Sequence, residues 1–389
     1  MRALIYLIAG ILLSLLLRAL GAGHLDPLRD HSLLREACDV ALIVSVFASG
    51  LAVERRVARS SWRLIAVLLV VGIPATIAAV AWFASAAMGL GLGAAAVLGA
   101  MLAPTDPVLA GELGLGEPTE EVVGEPRLSL HTEAGANDGL AAPFLAGALL
   151  LARHGGAGWV GHWLAVDVAV HVAESVALGA LAGLATIAVV RTLRDRGAFG
   201  PDRPDGVPRW RLVIDGLVLA VPFGIYMACE PLHGYGLVAV FAAGFAFRRG
   251  ERDERLHAHV HWICEESGRL TELVAVVLVG LVVAGGGLSI PGLGGWLLAP
   301  VVIVVVRPLL VLALSAGTPL SLRERLYLGF FGVRGVAAVY YAAVIAGTRV
   351  LAPHETAVVV WTTLVCVAVS VALHGVTAGP LRRRWLGEE

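Results

Sequence analysis

Lysine is absent from this chain: all 29 basic residues are arginine, and charged residues of both signs make up only 15% of it. We read that bias as a mark of GC-rich coding rather than of chemistry. With a net charge of −1 there is no basic field to draw nucleic acid, and no nucleic-acid partner is expected. The four cysteines, Cys38, Cys229, Cys264 and Cys366, lie far apart without a C-x-x-C pair, which excludes a disulfide framework and a zinc knuckle. Neither H-E-x-x-H nor G-x-S-x-G occurs, so an intramembrane hydrolase is disfavoured; no enzyme activity and no cofactor are expected. What is abundant is apolar: 58% of 389 residues, with a mean hydropathy of +0.83. Such a chain is too apolar for a soluble globule and long enough for about a dozen membrane spans of ~20 residues.

Hydropathy, broken by charge, glycine and proline, predicts an all-α polytopic membrane protein with spans at 3–20, 37–53, 62–84, 91–107, 127–150, 159–190, 212–229, 234–248, 270–286, 296–316, 324–348 and 355–379. Met1 to Leu20 lacks a small-residue cleavage site and reads as a first span that stays. Placing the N-terminus inside puts 22 arginines on the cytoplasmic side against five outside and two within spans, Arg307 and Arg334. Both termini are therefore expected in the cytoplasm.

Two spans are interrupted. The fourth ends Ala103-Pro-Thr-Asp-Pro107, where two prolines remove backbone donors and force unwinding. The eleventh holds Gly332-Val-Arg-Gly335, a glycine pair around a buried cation. Broken spans at matching places in two halves point to a transporter's midplane site. They lie seven spans apart, which predicts a first repeat over 1–150, a linker helix over 159–190 and a second repeat over 212–380.

Between them runs Ser129 to Gly139, which sets Glu133, Asn137 and Asp138 in an otherwise apolar span. A charge at that depth costs roughly 2.5–3.5 kcal/mol on insertion scales, so such residues usually face a cavity. Glu133 and Asn137 are one helical turn apart on one face, while Asp138 points elsewhere. Unwound carbonyls with a carboxylate suit a small hard cation, and Thr105, Asp106, Asn137 and Asp138 supply those oxygens. Desolvation favours the neutral form of any carboxylate, so a proton and a metal ion compete for it. Competition at one site that opens alternately to each side is antiport.

Ala103-Pro-Thr-Asp-Pro107, Glu133-x-x-x-Asn137-Asp138-Gly139 and Gly332-Val-Arg334-Gly335 occur in the order and spans seen in NhaP-type sodium/proton antiporters of the cation/proton antiporter superfamily, which this chain resembles from about 35 to 380. Weaker matches are Ser49-Gly50-Leu51 with Glu54, Gly234 to Gly244 preceded by Glu230, and Leu270-Thr-Glu272. The resemblance implies inverted repeats with crossed, discontinuous helices in a core domain, a dimerisation domain that makes a homodimer in the plasma membrane, and exchange of Na+ or Li+ for H+. It implies that Asp138 is the shared carboxylate, with Thr105 at the ion. Asn137, where an electrogenic relative has a second aspartate, implies electroneutral exchange. Arg307 matches the position expected to pair with Glu133, with Arg334 the alternative. Potassium exchange is the runner-up. Two departures stand out: Ala134 replaces the usual serine, and the chain has one span fewer than the family pattern, its opening segment resembling the family's second helix.

Other polar groups read more blandly. His257, His259 and His261, with Cys264, Glu265 and Glu266, could bind zinc or sense pH, but a solvated loop between helices is the expectation. Asp167, His171 and Glu174 form a stripe expected at a helix contact or dimer surface. Glu230 and His233 are expected to be interfacial, Glu272 is a weaker candidate for a proton path, and Glu112 to Glu125 reads as a solvated acidic loop.

Overall fold

The computed structural model describes residues 2–21, 23–53, 59–106, 109, 125–195 and 209–386; Glu54, Pro107 and most of the Glu112 to Glu125 stretch lie outside them. Among the described residues there is helix and no strand. The helices are α1 (Arg2–Ala19), α2 (His31–Ala52), α3 (Arg59–Val67), α4 (Ile73–Met88), α5 (Leu92–Leu102), α6 (Glu125–His154), α7 (His171–Asp195) and α8 (Arg209–Cys229). They continue with α9 (Gly236–Gly250), α10 (Glu254–Val283), α11 (Gly292–Pro300), α12 (Arg307–Leu314), α13 (Leu322–Phe330), α14 (Val336–Ala346) and α15 (Pro353–Leu386). A π turn over Leu68–Gly72 joins α3 to α4, and another over Val301–Val306 joins α11 to α12.

Seven of these stretches are long and apolar enough to cross a membrane, and α5 and α14 are shorter apolar helices. α5 and α14 are short because each is one half of an interrupted span. Large apolar side chains point outward all round, among them Ile5, Trp82, Leu181 and Met227. On a protein in water that much exposed hydrocarbon would be a liability, and in a bilayer it is the lipid-facing surface.

Packing divides the helices into two bodies. α1, α2, α7, α8, α9 and α10 pack chiefly on one another and form a scaffold; α3 to α6 and α11 to α15 form a core body around the two breaks. Small residues allow close approach in the scaffold: a Cβ on Gly50 of α2 or Gly244 of α9 would run into the backbone of the other helix. The two bodies meet where α2 lies against α14 and α6, and where α9 lies against α6.

One expectation fails here. His257, His259 and His261 sit on a helix, not on a solvated loop, because α10 starts at Glu254. His259 pairs with Asp215 at 2.7 Å and His261 with Glu265 at 3.4 Å. Among the described residues no three His, Cys, Asp or Glu side chains gather as a metal site.

Candidate ion site at two crossed helix breaks

The chain unwinds after Leu102 because Pro104 has no amide to give and its ring disfavours helix in the residue before it. It unwinds again at Gly332–Gly335, between α13 and α14. The two breaks cross and cap each other. The Asp106 amide donates to the Val333 carbonyl (2.8 Å). Asp106 Oδ2 accepts from the Val336 amide (3.0 Å), at the N-terminus of α14, and its Oδ1 from the Leu109 amide (2.9 Å). In the other direction, Arg334 Nη1 donates to the carbonyls of Ala103 (3.4 Å) and Pro104 (3.2 Å), just past the end of α5.

A helix N-terminus carries partial positive charge and a C-terminus partial negative charge, so each side chain faces the end of opposite sign. The motif's glycines make the crossing possible. A Cβ on Gly335 would fall inside the Asp106 carboxylate, and one on Gly332 would lie 2.6 Å from Arg307 Nε. Arg334 is held from behind as well: its amide donates to Ser370 Oγ (2.8 Å), and Ser370 is followed one turn later by buried His374, whose Nε2 lies 2.8 Å from the Phe330 carbonyl.

α6 runs past this crossing. Arg307 clasps Glu133 with two bonds, Nη2 to Oε2 at 2.6 Å and Nη1 to Oε1 at 3.1 Å. Asn137, one turn on, bridges α6 to the first break: its Nδ2 donates to Glu133 Oε1 (2.9 Å) and Thr105 Oγ1 (2.8 Å), and its Oδ1 accepts from the Thr105 amide (3.0 Å). Arg334, the other intramembrane arginine, donates through Nη1 to the carbonyls of Ala103 and Pro104, and its Nε and Nη2 are buried without a partner.

Asp138 differs from its neighbours. It is 1% exposed, and its Oδ1 has no hydrogen-bond partner. The charges that bear on it are Asp106 and Glu133. Its backbone carbonyl accepts a hydrogen bond from the Tyr341 hydroxyl at 2.5 Å, which ties α6 to α14 beside the carboxylate. A buried carboxylate oxygen without a donor is costly to keep.

The crossing thus brings together Thr105, Asp106, Glu133, Asn137, Asp138, Arg307 and Arg334, and it assigns them different tasks. Both Asp106 oxygens, expected among the ion's ligands, are committed to backbone amides, and Ala134 contributes no oxygen. Tyr341, Ser370 and His374 belong to the same constellation and escaped the sequence reading. Glu272 also reaches it: the side chain is 1% exposed and lies in hydrogen-bonding reach of Ser45 and Asp106.

Comparison with known proteins gives a consistent result. The profile of the family described as "Sodium/hydrogen exchanger, transmembrane" matches residues 2–384. Na+/H+ antiporter 2 of Zygosaccharomyces rouxii is 28% identical over 325 residues, which is 80% of this chain and 38% of that protein. A Schizosaccharomyces pombe protein described as a probable Na+/H+ antiporter is 27% identical over 322 residues, 78% of this chain and 40% of its own length. The chain thus spans about two fifths of the length of these curated relatives. Among solved structures, the sodium proton antiporter MjNhaP1 of Methanocaldococcus jannaschii at pH 8 has the same fold, with a TM-score of 0.68 at 16% identity over 96% of this chain and 92% of that one. A second MjNhaP1 structure, from an electron microscopy map, superposes with a TM-score of 0.72 at 19% identity, covering 98% of this chain and 91% of that one.

Proposed function

The chain belongs to the sodium/hydrogen exchanger family, and from that premise we propose that it exchanges a monovalent cation, Na+ or Li+, for H+ at Asp138. One observation carries the assignment to this residue. Glu133 is neutralised by Arg307, Asp106 caps α14 and Asn137 bridges two segments, whereas Asp138 Oδ1 is buried and lacks a donor; Glu272 Oε2 lacks one too, but that side chain reaches Ser45 and Asp106. In the cycle, Asp138 binds a cation whose remaining ligands come from Thr105 and water. It releases that cation on one side of the membrane, takes a proton there and returns.

With Glu133 held by its arginine and Asn137 carrying no charge, a single carboxylate does the exchange. One cation then moves for each proton, and the cycle is electroneutral. We propose further that it is a multi-pass protein of the plasma membrane with both termini in the cytoplasm, two structural repeats over 1–150 and 212–380, and that it forms a homodimer.

The test is Asp138→Asn in proteoliposomes loaded with a pH-sensitive dye. Asparagine keeps the shape and removes the titratable charge, so exchange should vanish while the melting temperature stays within a few degrees of wild type. Exchange at the wild-type rate refutes the carrier assignment. Comparing Na+, Li+ and K+ in everted vesicles identifies the ion.

A further inference from the structure

On the arginine-poor side of the membrane a cavity of about 190 Å³ reaches inward to Gly139 and Tyr341, immediately beside Asp138. Its walls include Arg35, Tyr226, Glu230 and Tyr340. Two of these side chains, Tyr226 and Tyr340, are joined to each other and to Asp39. Tyr226 of α8 donates its hydroxyl proton to Asp39 Oδ1 of α2 at 2.7 Å. Its oxygen lies 3.1 Å from the Tyr340 hydroxyl of α14. A phenol has a single proton, and here the carboxylate takes it, so Tyr340 must be the donor to Tyr226. Arg35 Nε stands 3.6 Å from Asp39 Oδ2 and balances the acid.

The chain Tyr340 to Tyr226 to Asp39 crosses from one body to the other. Tyr340 is on the core body; Tyr226 and Asp39 are on the scaffold. The residue after Tyr340 is Tyr341, whose hydroxyl holds the Asp138 carbonyl. Consecutive tyrosines of one short helix therefore reach in two directions, one to the ion site and one to the scaffold. Their rings are 5.1 Å apart.

We propose that the Tyr340–Tyr226–Asp39 chain is the outer latch of the Asp138 site: made, it fastens the core to the scaffold with the carboxylate closed off on this side, and it must part before an ion can pass between the cavity and Asp138. This rests on the proposal that Asp138 is the carrier. The three side chains act by positioning and do not touch the ion. The bond to Asp39 has a charged acceptor and is the stronger of the two; the bond between the tyrosines is neutral and weaker.

The protein contains its own reporters. Cys229, next to Glu230, and Cys38, next to Asp39, are 1% and 2% exposed, whereas Cys264 and Cys366 are buried elsewhere. A membrane-impermeant maleimide is added to intact cells, and separately to everted vesicles, and labelling of each cysteine is followed by peptide mass spectrometry. In Tyr226→Phe and Tyr340→Phe, which keep the rings and the packing, Cys229 and Cys38 should label from the outside roughly five- to tenfold faster than in wild type, with Tyr226→Phe the larger effect. Cys264 and Cys366 should be unchanged. Equal labelling of Cys229 and Cys38 in wild type and both variants overturns the latch, as does an equal rise at all four thiols or faster labelling of Cys229 and Cys38 from the everted side only. The readout needs no transport, so loss of the carrier assignment through Asp138→Asn and loss of the latch are separate results.

Discussion

Replacing Arg307 with alanine should destabilise this protein more than it alters what the protein binds. The guanidinium makes two bonds to Glu133, at 2.6 and 3.1 Å, and the residues are 7% and 1% exposed. At an effective dielectric of about 20, unit charges some 4 Å apart attract by roughly 4 kcal/mol. Breaking a buried pair by removing one partner costs about 3–5 kcal/mol, since the other charge is stranded. In Arg307→Ala the Asn137 amide, at 2.9 Å, would be the donor left on the Glu133 carboxylate among the described residues. For a chain of this size that cost corresponds to a fall in melting temperature of roughly 4–6 °C. The assay is thermal unfolding in detergent together with the yield of monodisperse protein. Glu133→Gln combined with Arg307→Met removes both charges and keeps the volume, so it should recover most of the loss, a coupling of about 2–3 kcal/mol. The cation concentration giving half-maximal exchange should hold steady in whatever folded Arg307→Ala survives. An unchanged melting temperature with exchange abolished would refute this reasoning and move the pair from the frame into the ion path.

Two further substitutions probe the crossing. Gly335→Ala drives a methyl group into the Asp106 carboxylate and should cost at least about 1–3 kcal/mol, along with the exchange activity; Gly216→Ala, whose Cβ meets nothing within 4 Å, is the control and should melt like wild type. Asn137→Asp removes two amide donors and sets a second carboxylate against Glu133 Oε1, so it should destabilise by about 1–3 kcal/mol in the same melting assay. Melting at the wild-type temperature would show that the Asn137 bridge is not structural.

Much of this site is written in local spacing. Glu133 and Asn137 meet because four residues make a turn, and the two breaks announce themselves through Pro104 and through Gly332 and Gly335. Asn137 carries a further signal: it is the only asparagine in a chain with no glutamine, so the one side-chain amide stands where it bridges the break. Apart from the Arg307–Glu133 pair, which the family resemblance implied, contacts between distant segments were not legible. Asp106 offers the same oxygens whether it binds an ion or caps a helix, and the amide that decides the matter, on Val336, is 230 residues away. Tyr340 and Tyr341 look like packing in an apolar helix until their partners on α8 and α6 are known. The histidines on α10 misled for another reason. Their helix runs on past its apolar part into a charged segment, where hydropathy marks an end and the backbone does not.

The mutual capping of the two breaks also bears on how the protein is made. Ala103 and Pro104 enter the membrane early in synthesis, yet the arginine that satisfies their carbonyls follows 231 and 230 residues behind. Until it arrives, bare peptide oxygens must wait in a medium that offers them no donor. Either water or the insertion machinery has to shelter them through most of translation, so the nascent first half is an incomplete object that only the last helices can finish.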